Sequence, residues 1–224
     1  MNYLQLCQRV RQEVGASGDD STVVGATGEW KRLCDWVNQA WMEIQQYHPE
    51  WNWLRKEVTF NTIANQAEYP YASAPLLLSN FSRWRDGSFR IYFNDVGDEH
   101  LLQQLEYRNF RDAYLISTFK TTYSYPSVIT ISPSDSLILA LPPDGIYTIS
   151  GVYYKAPTEF SGNTDEPDIP SRYHMLIVYR AMQEYGFYEA AQEVIQRAAA
   201  RYNEMLQNLL IDETPDISID RGTN

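Results

Sequence analysis

The chain has 224 residues, 44% of them hydrophobic and 14% aromatic, and its 29 acidic side chains outnumber 18 basic ones for a net charge of −11. A chain this long and this apolar is neither globally disordered nor dependent on disulfides or metal to fold. The acidic balance disfavours tight DNA or RNA binding and anionic membranes, and no run of 18 apolar residues is present to span a bilayer.

The start, Met1-Asn2-Tyr3-Leu4-Gln5-Leu6, lacks the basic and apolar stretches of a signal peptide. Cys7 and Cys34 therefore read as free thiols of a reducing compartment, small and buried. Leu6, Val10 and Val14 recur at four-residue steps beside Tyr3 and Cys7, which predicts an amphipathic helix that Gly15 stops. The Gly-, Ser-, Thr- and Asp-rich stretch 15–28 reads as a loop. Thr27 is placed to cap a second helix over 29–47, with Glu29 in its first turn. Its stripe is Trp30, Leu33, Val37, Trp41 with Ala40, and Ile44, and Pro49 ends it.

The period then changes from 3.6 to 2. Val58 and Phe60, then Phe89, Ile91 and Phe93, alternate with polar neighbours as strands do, and Asp86-Gly87 marks a turn before the second set. Leu105, Phe110, Ala113 and Tyr114 predict a short helix over about 106–116. Val128–Ile131, Leu137–Leu141 and Ile146–Lys155, the last two joined by Pro142-Pro143-Asp144-Gly145, predict an antiparallel meander over 127–156.

Residues 157–168 carry loop chemistry, and Pro170 suits the first turn of a helix with Tyr173, Leu176 and Ile177 on its stripe. Gly186 is expected to break that helix. A second, from Tyr188 to Leu210, is expected to fold back on it as a hairpin. Ile211 to Asn224 holds three apolar residues, Ile211, Ile217 and Ile219, and reads as a flexible tail. The alternation of Ile217 and Ile219 also suits a strand or arm added to a neighbour.

The expected fold is therefore α+β. A helical core is built from N-terminal helices (1–55) and a C-terminal hairpin (158–210). It carries a β-rich antiparallel insertion (56–157) and an extended tail (211–224).

No chemical signature accompanies this pattern. His48, His100 and His174 fall in no HExxH or HxxxH spacing, and there is no CxxC, P-loop, GxSxG or GxGxxG motif. Asp19-Asp20, Asp98-Glu99, Asp165-Glu166 and Asp212-Glu213 sit in loop or tail sequence, where solvation explains them. The expectation is a protein with no catalytic, metal or cofactor site, and not an enzyme. Six tryptophans and 17 tyrosines are the unusual feature. They are open to three readings: core, protein–protein interface, or a platform for stacking on sugars.

The stretch Asp35-Trp36-Val37-Asn38-Gln39-Ala40-Trp41-Met42-Glu43-Ile44-Gln45, followed by Pro49-Glu50-Trp51-Asn52-Trp53-Leu54-Arg55, resembles the head-to-tail adaptor proteins of tailed phages. It is most similar to the tail tubular protein A type, in which an asparagine-bearing helix leads through a tryptophan turn into a β insertion. The closing helices, with Pro170, Tyr173, Ile177, Ala181, Glu184 and Tyr185, are similar to the same family. The resemblance implies a virion protein of the neck, assembled in the host cytoplasm. Its subunits would form a ring, usually of twelve, between the portal protein and a tail or nozzle protein. Genomic DNA would pass through the lumen without tight binding, and an acidic wall suits that passage. A closed ring also gives surplus aromatics a purpose, with Trp36, Trp53 and Trp84 as interface candidates. The tail from Ile211, with Ile217 and Ile219, is the candidate arm. The alternatives are a tail-completion or baseplate subunit, or a carbohydrate-binding module of a host-adhesion device.

Overall fold

Asn2 opens the first helix, α1 (Tyr3–Val14), with a capping box: its side chain accepts the Gln5 N–H at 2.9 Å, and Gln5 returns a bond to the Asn2 N–H at 3.0 Å. This is seen in a computed structural model that describes residues 1–16, 21–93, 96–116, 119 and 121–214. The chain divides there into two compact units, one made of residues 1–54 with those from 157 onward, the other of residues 55–156.

In the helical unit, Gly15 ends α1 in the left-handed conformation that its missing Cβ permits. Thr27 occupies the N-cap position of α2 (Gly28–Tyr47), but its side chain makes no capping bond. The expected stripe of α2 is buried throughout, joined by Cys34 and one polar residue, Gln45. A single-turn helix at Ser171–Tyr173 leads into the closing helical hairpin.

The decisive element of this unit is an extended segment, not a helix. Two side-chain amides seven residues apart on α2 hold its backbone as a neighbouring β-strand would. Asn38 accepts the Phe160 N–H at 2.9 Å and donates to the Phe160 carbonyl at 3.3 Å. Gln45 accepts the Thr158 N–H and donates to the Thr158 carbonyl, both at 3.0 Å. Between these clamps the Phe160 ring stacks on Tyr3 of α1 (4.9 Å) and Trp41 of α2 (5.6 Å). The following turn ties down the start of α1 and the chain before α2: the Asn163 and Asp165 carbonyls take the N–H groups of Leu4 and Tyr3, and the Asn163 side chain accepts the Val23 N–H and donates to the Thr22 hydroxyl.

In the β unit, the strands of the first sheet are β1 (Arg55–Asn61), β3 (Phe81–Trp84), β4 (Arg90–Tyr92), β5 (His100–Leu101) and β9 (Thr148–Lys155). Its order is β1-β9-β4-β5, with β3 also paired to β9. The second sheet runs β2 (Glu68–Tyr69), β8 (Leu137–Leu139), β7 (Val128–Ile131), β6 (Gln103–Gln104), with β6 and β7 parallel. Phe60, Tyr69, Trp84, Phe89, Ile91, Leu102, Ile129, Leu137, Leu139 and Ile149 form one shared core. The helix α3 (Tyr107–Tyr114) covers a smaller cluster through Phe110. The α+β class is as expected, but the meander is not. β7 and β8 pair as a hairpin, whereas β9 leaves for the other sheet. Pro142 and Pro143 lack the N–H groups that would continue the β8 ladder, and β2 already occupies the outer side of β8.

The closing hairpin of the helical unit is α4 (His174–Tyr188) and α5 (Gln192–Glu213). α4 packs against α1, α2 and α5, which is why it is buried on more than one side. Gly186 does not break it. Gly186 lies inside α4 and gives room to α5: a Cβ there would fall 2.6 Å from Ile195 Cγ1. The turn comes later, where Ala190 takes a positive φ of 54°. The tail also begins later than expected, since Ile211, Asp212 and Glu213 belong to α5. Arg172 pairs with both Asp212 and Glu213, Tyr173 bonds Asp212, and these contacts hold the last turn of α5 in helix.

Three outcomes follow for the isolated subunit. Asn38→Leu leaves the Phe160 amide and carbonyl without partners, and denaturant unfolding should show a loss of about 2 kcal/mol. Gly186→Ala should destabilise by about 1–3 kcal/mol despite its better helix propensity, because the added methyl meets a branched side chain at close range. Truncation after Leu210 should lower the thermal midpoint, while truncation after Thr214 leaves it unchanged.

Candidate assembly surfaces

The tryptophans come first, because their burial decides which reading of the aromatics survives. Trp30, Trp41, Trp51 and Trp84 are buried, and Trp36 and Trp53 are half-buried, so none of the six is an exposed side chain. Trp84 is only 5% exposed; it donates its indole N–H to the Asp135 carbonyl at 2.8 Å and packs on Phe81, Phe89 and Tyr153. It is a core residue of the β unit and not a surface anchor, since its polar edge is already satisfied inside. Trp53 stacks on Trp51 at 4.3 Å, and its indole N–H has no partner among the described residues. Trp51 is held by its own N–H to the Ile44 carbonyl at 2.9 Å.

Trp36 lies off the apolar stripe of α2, and the layer that covers it comes from α4. Tyr185 meets it edge-on at 6.1 Å and Tyr188 tilts over it at 5.6 Å. Arg32 caps Tyr188 with its guanidinium 4.1 Å from the ring centre, a cation–π contact. Beside this stack Phe187 is 62% exposed. The end of the hairpin therefore presents an aromatic patch with two exposed rings, Phe187 and Tyr188. Of the three isoleucines singled out in the tail, Ile211 is on α5 and 78% exposed. Ile217 and Ile219 lie outside the described residues.

Sequence reasoning missed the apolar end of the β unit. Phe93 contacts Tyr147 at 5.5 Å, and Tyr125 meets Tyr147 edge-on at 4.9 Å. Ile63 and Ile146 flank the bond from the Thr62 N–H to the Tyr147 carbonyl, and both are exposed. The Tyr147 hydroxyl donates to Asp144, and that bond pushes its pKa up to about 12. The two isoleucines sit in turns without periodicity, so composition gave no signal for them.

The ionisable groups are engaged in structure. Asp165 takes the N–H groups of Gly162 and Ser161, and these bonds hold its carboxyl below the usual range. Burial pushes the Cys7 thiol far up, which leaves it without nucleophilic thiolate. Burial likewise lowers the pKa of His174. Among the described residues no three His, Cys, Asp or Glu side chains are grouped to hold a metal ion.

Charge is unevenly divided. The helical unit's residues, 1–54 and 157–224, include 9 basic and 19 acidic side chains, whereas residues 55–156 include 9 and 10. Almost all of the net charge thus belongs to the helical unit.

The family described as SU10 adaptor protein matches residues 1–223. None of the curated proteins compared with the chain matches it. The match spans the amide-clamped helix, the β insertion and the closing hairpin alike, and it agrees with the resemblance carried by residues 35–55. The chain belongs to the SU10 adaptor protein family, structural proteins of bacteriophage.

Proposed function

We propose that the protein is a head-to-tail adaptor subunit that forms a ring, of twelve copies, joining the portal protein to a tail or nozzle protein in the neck of the virion. The family match over residues 1–223 carries this reading. The physical features support it. Each unit presents apolar surface of its own, the helical unit at the Phe187 end of the hairpin and the β unit at Ile63 and Ile146. Two different contacts are what a component joining two rings needs. The acidic helical unit suits the wall of a DNA channel, because like charge keeps the duplex from adhering. The β unit, with nearly balanced charge, suits contact with protein. Subunits assemble in the host cytoplasm and act in the virion.

A sugar-binding platform would need exposed Trp or Tyr in one row; none of the tryptophans is an exposed side chain, and Tyr47, Tyr123 and Tyr188 are the exposed tyrosines that such a reading would have to use. A tail-completion or baseplate subunit shares the composition and differs in its partner.

Size-exclusion chromatography with light scattering, on the protein alone and mixed with its phage's portal, checks the assignment. The expected outcome is a shift to a complex with about one copy per portal subunit. No complex at any ratio would transfer the protein to a distal tail or baseplate position.

A further inference from the structure

β1 is the outermost strand of its sheet. It pairs with β9 along all seven residues and, among the described residues, with no strand on its other side. Val152 of β9 shows which groups face outward. Its N–H donates to Ser88 Oγ at 3.1 Å and its carbonyl accepts the Arg85 N–H at 2.8 Å, both on the side of β9 away from β1. Hydrogen-bonding direction alternates along a strand. Gly151 and Tyr153 therefore face β1, where they meet Val58 and Lys56. The backbone groups of Glu57 and Thr59 then point out of the sheet, and no described residue bonds them. The side chains alternate as well: Phe60 is buried in the core with Val58 packed against it, while Glu57, Thr59 and Asn61 are exposed. Such an edge is a template for another strand.

We propose that this edge accepts the segment Asp216–Asp220 of another copy of the chain as an added antiparallel strand. The inference rests on the ring reading above, which supplies the neighbouring copy. The chain itself argues for this occupant. A single residue, Pro215, separates Thr214 from this segment, so the added strand begins within roughly 7 Å of the end of α5 in the donating copy, and its five residues run for about 17 Å along the edge. Within the segment, Ile217 and Ile219 alternate with Asp216, Ser218 and Asp220. With Ile217 opposite Val58, both isoleucines fall on the core face of the sheet. Asp220 then falls opposite Arg55, Ser218 opposite Glu57 and Asp216 opposite Thr59, a register with opposite charges at one end and no like-charge pair. Pro215 lies outside the paired stretch, so the added strand lacks no N–H. In a closed head-to-tail ring every copy gives one such strand and receives one.

Hydrogen exchange on the portal-assembled ring tests the proposal. The amides of Glu57 and Thr59 should exchange at least about tenfold more slowly in the ring than in the free subunit, and a ring of subunits truncated after Thr214 should lose that protection. Unprotected amides in the intact ring, or equal protection without the segment, would overturn the proposal. If no ring forms, light scattering shows that the ring reading itself has failed. The strand contact is then tested directly, with a synthetic peptide of residues 214–224 titrated into the truncated chain. Saturable binding that Thr59→Pro abolishes would support it, because proline removes an outward N–H that the β1–β9 ladder does not use. No binding at millimolar peptide would overturn it.

Discussion

The helical unit depends on one constraint: a stretch of extended backbone must be satisfied inside a helical core. A buried peptide group without a partner costs more than most single contacts return. Here Asn38 and Gln45 meet the need from one face of α2, each supplying an acceptor and a donor to one residue of the segment. The Phe160 ring then lies between Tyr3 and Trp41, so α1, α2 and the segment are fixed together. The turn that follows supplies carbonyls to the first N–H groups of α1. Neutral amides make this joint, so salt does not screen it, unlike the ion pairs at the surface.

The two units carry different kinds of surface. Net negative charge is concentrated where the helices are, and the apolar turns Ile63 and Ile146 are in the β unit. The ionisable residues bind backbone or one another: Asp165 organises a turn, Arg180 ties Glu43 on α2 to Glu184 on α4, and Asp212 secures the last turn of α5. These roles need rigid placement and no reactivity, in keeping with a structural protein.

The sequence was legible where one face repeats. The stripes of α1 and α2 and the alternation through Val58 and Phe60 identify helix and strand because burial is one-sided there. β2, β5 and β6 have two residues each, too few to show any period, and so these strands at the sheet edges were not readable. Gly186 read as a breaker because glycine disfavours helix, yet its role is to admit Ile195, a tertiary fact. Trp36 was readable as needing a cover because it leaves the stripe. Trp84 gave no such sign, and only its contacts with Phe81, Phe89 and Tyr153 place it in the core. Gln45 reads as a solvated polar residue, and its burial follows from the Thr158 backbone that no local pattern announces.

The β unit leaves and rejoins the helical unit through adjacent strands, for Arg55 at the start of β1 lies opposite Tyr154 near the end of β9. This has a consequence for synthesis on the ribosome. α1 and α2 emerge first but cannot complete their core until residue 157 and those after it arrive, whereas both sheets of the β unit are built entirely from residues 55–156. Once β1 and β9 have paired, the intervening hundred or so residues act as a short turn rather than a long loop. By the logarithmic dependence of closure entropy on loop length, that removes about 3 kcal/mol from the cost of bringing Phe160 back to α2. The order of translation thus prepares the closing step.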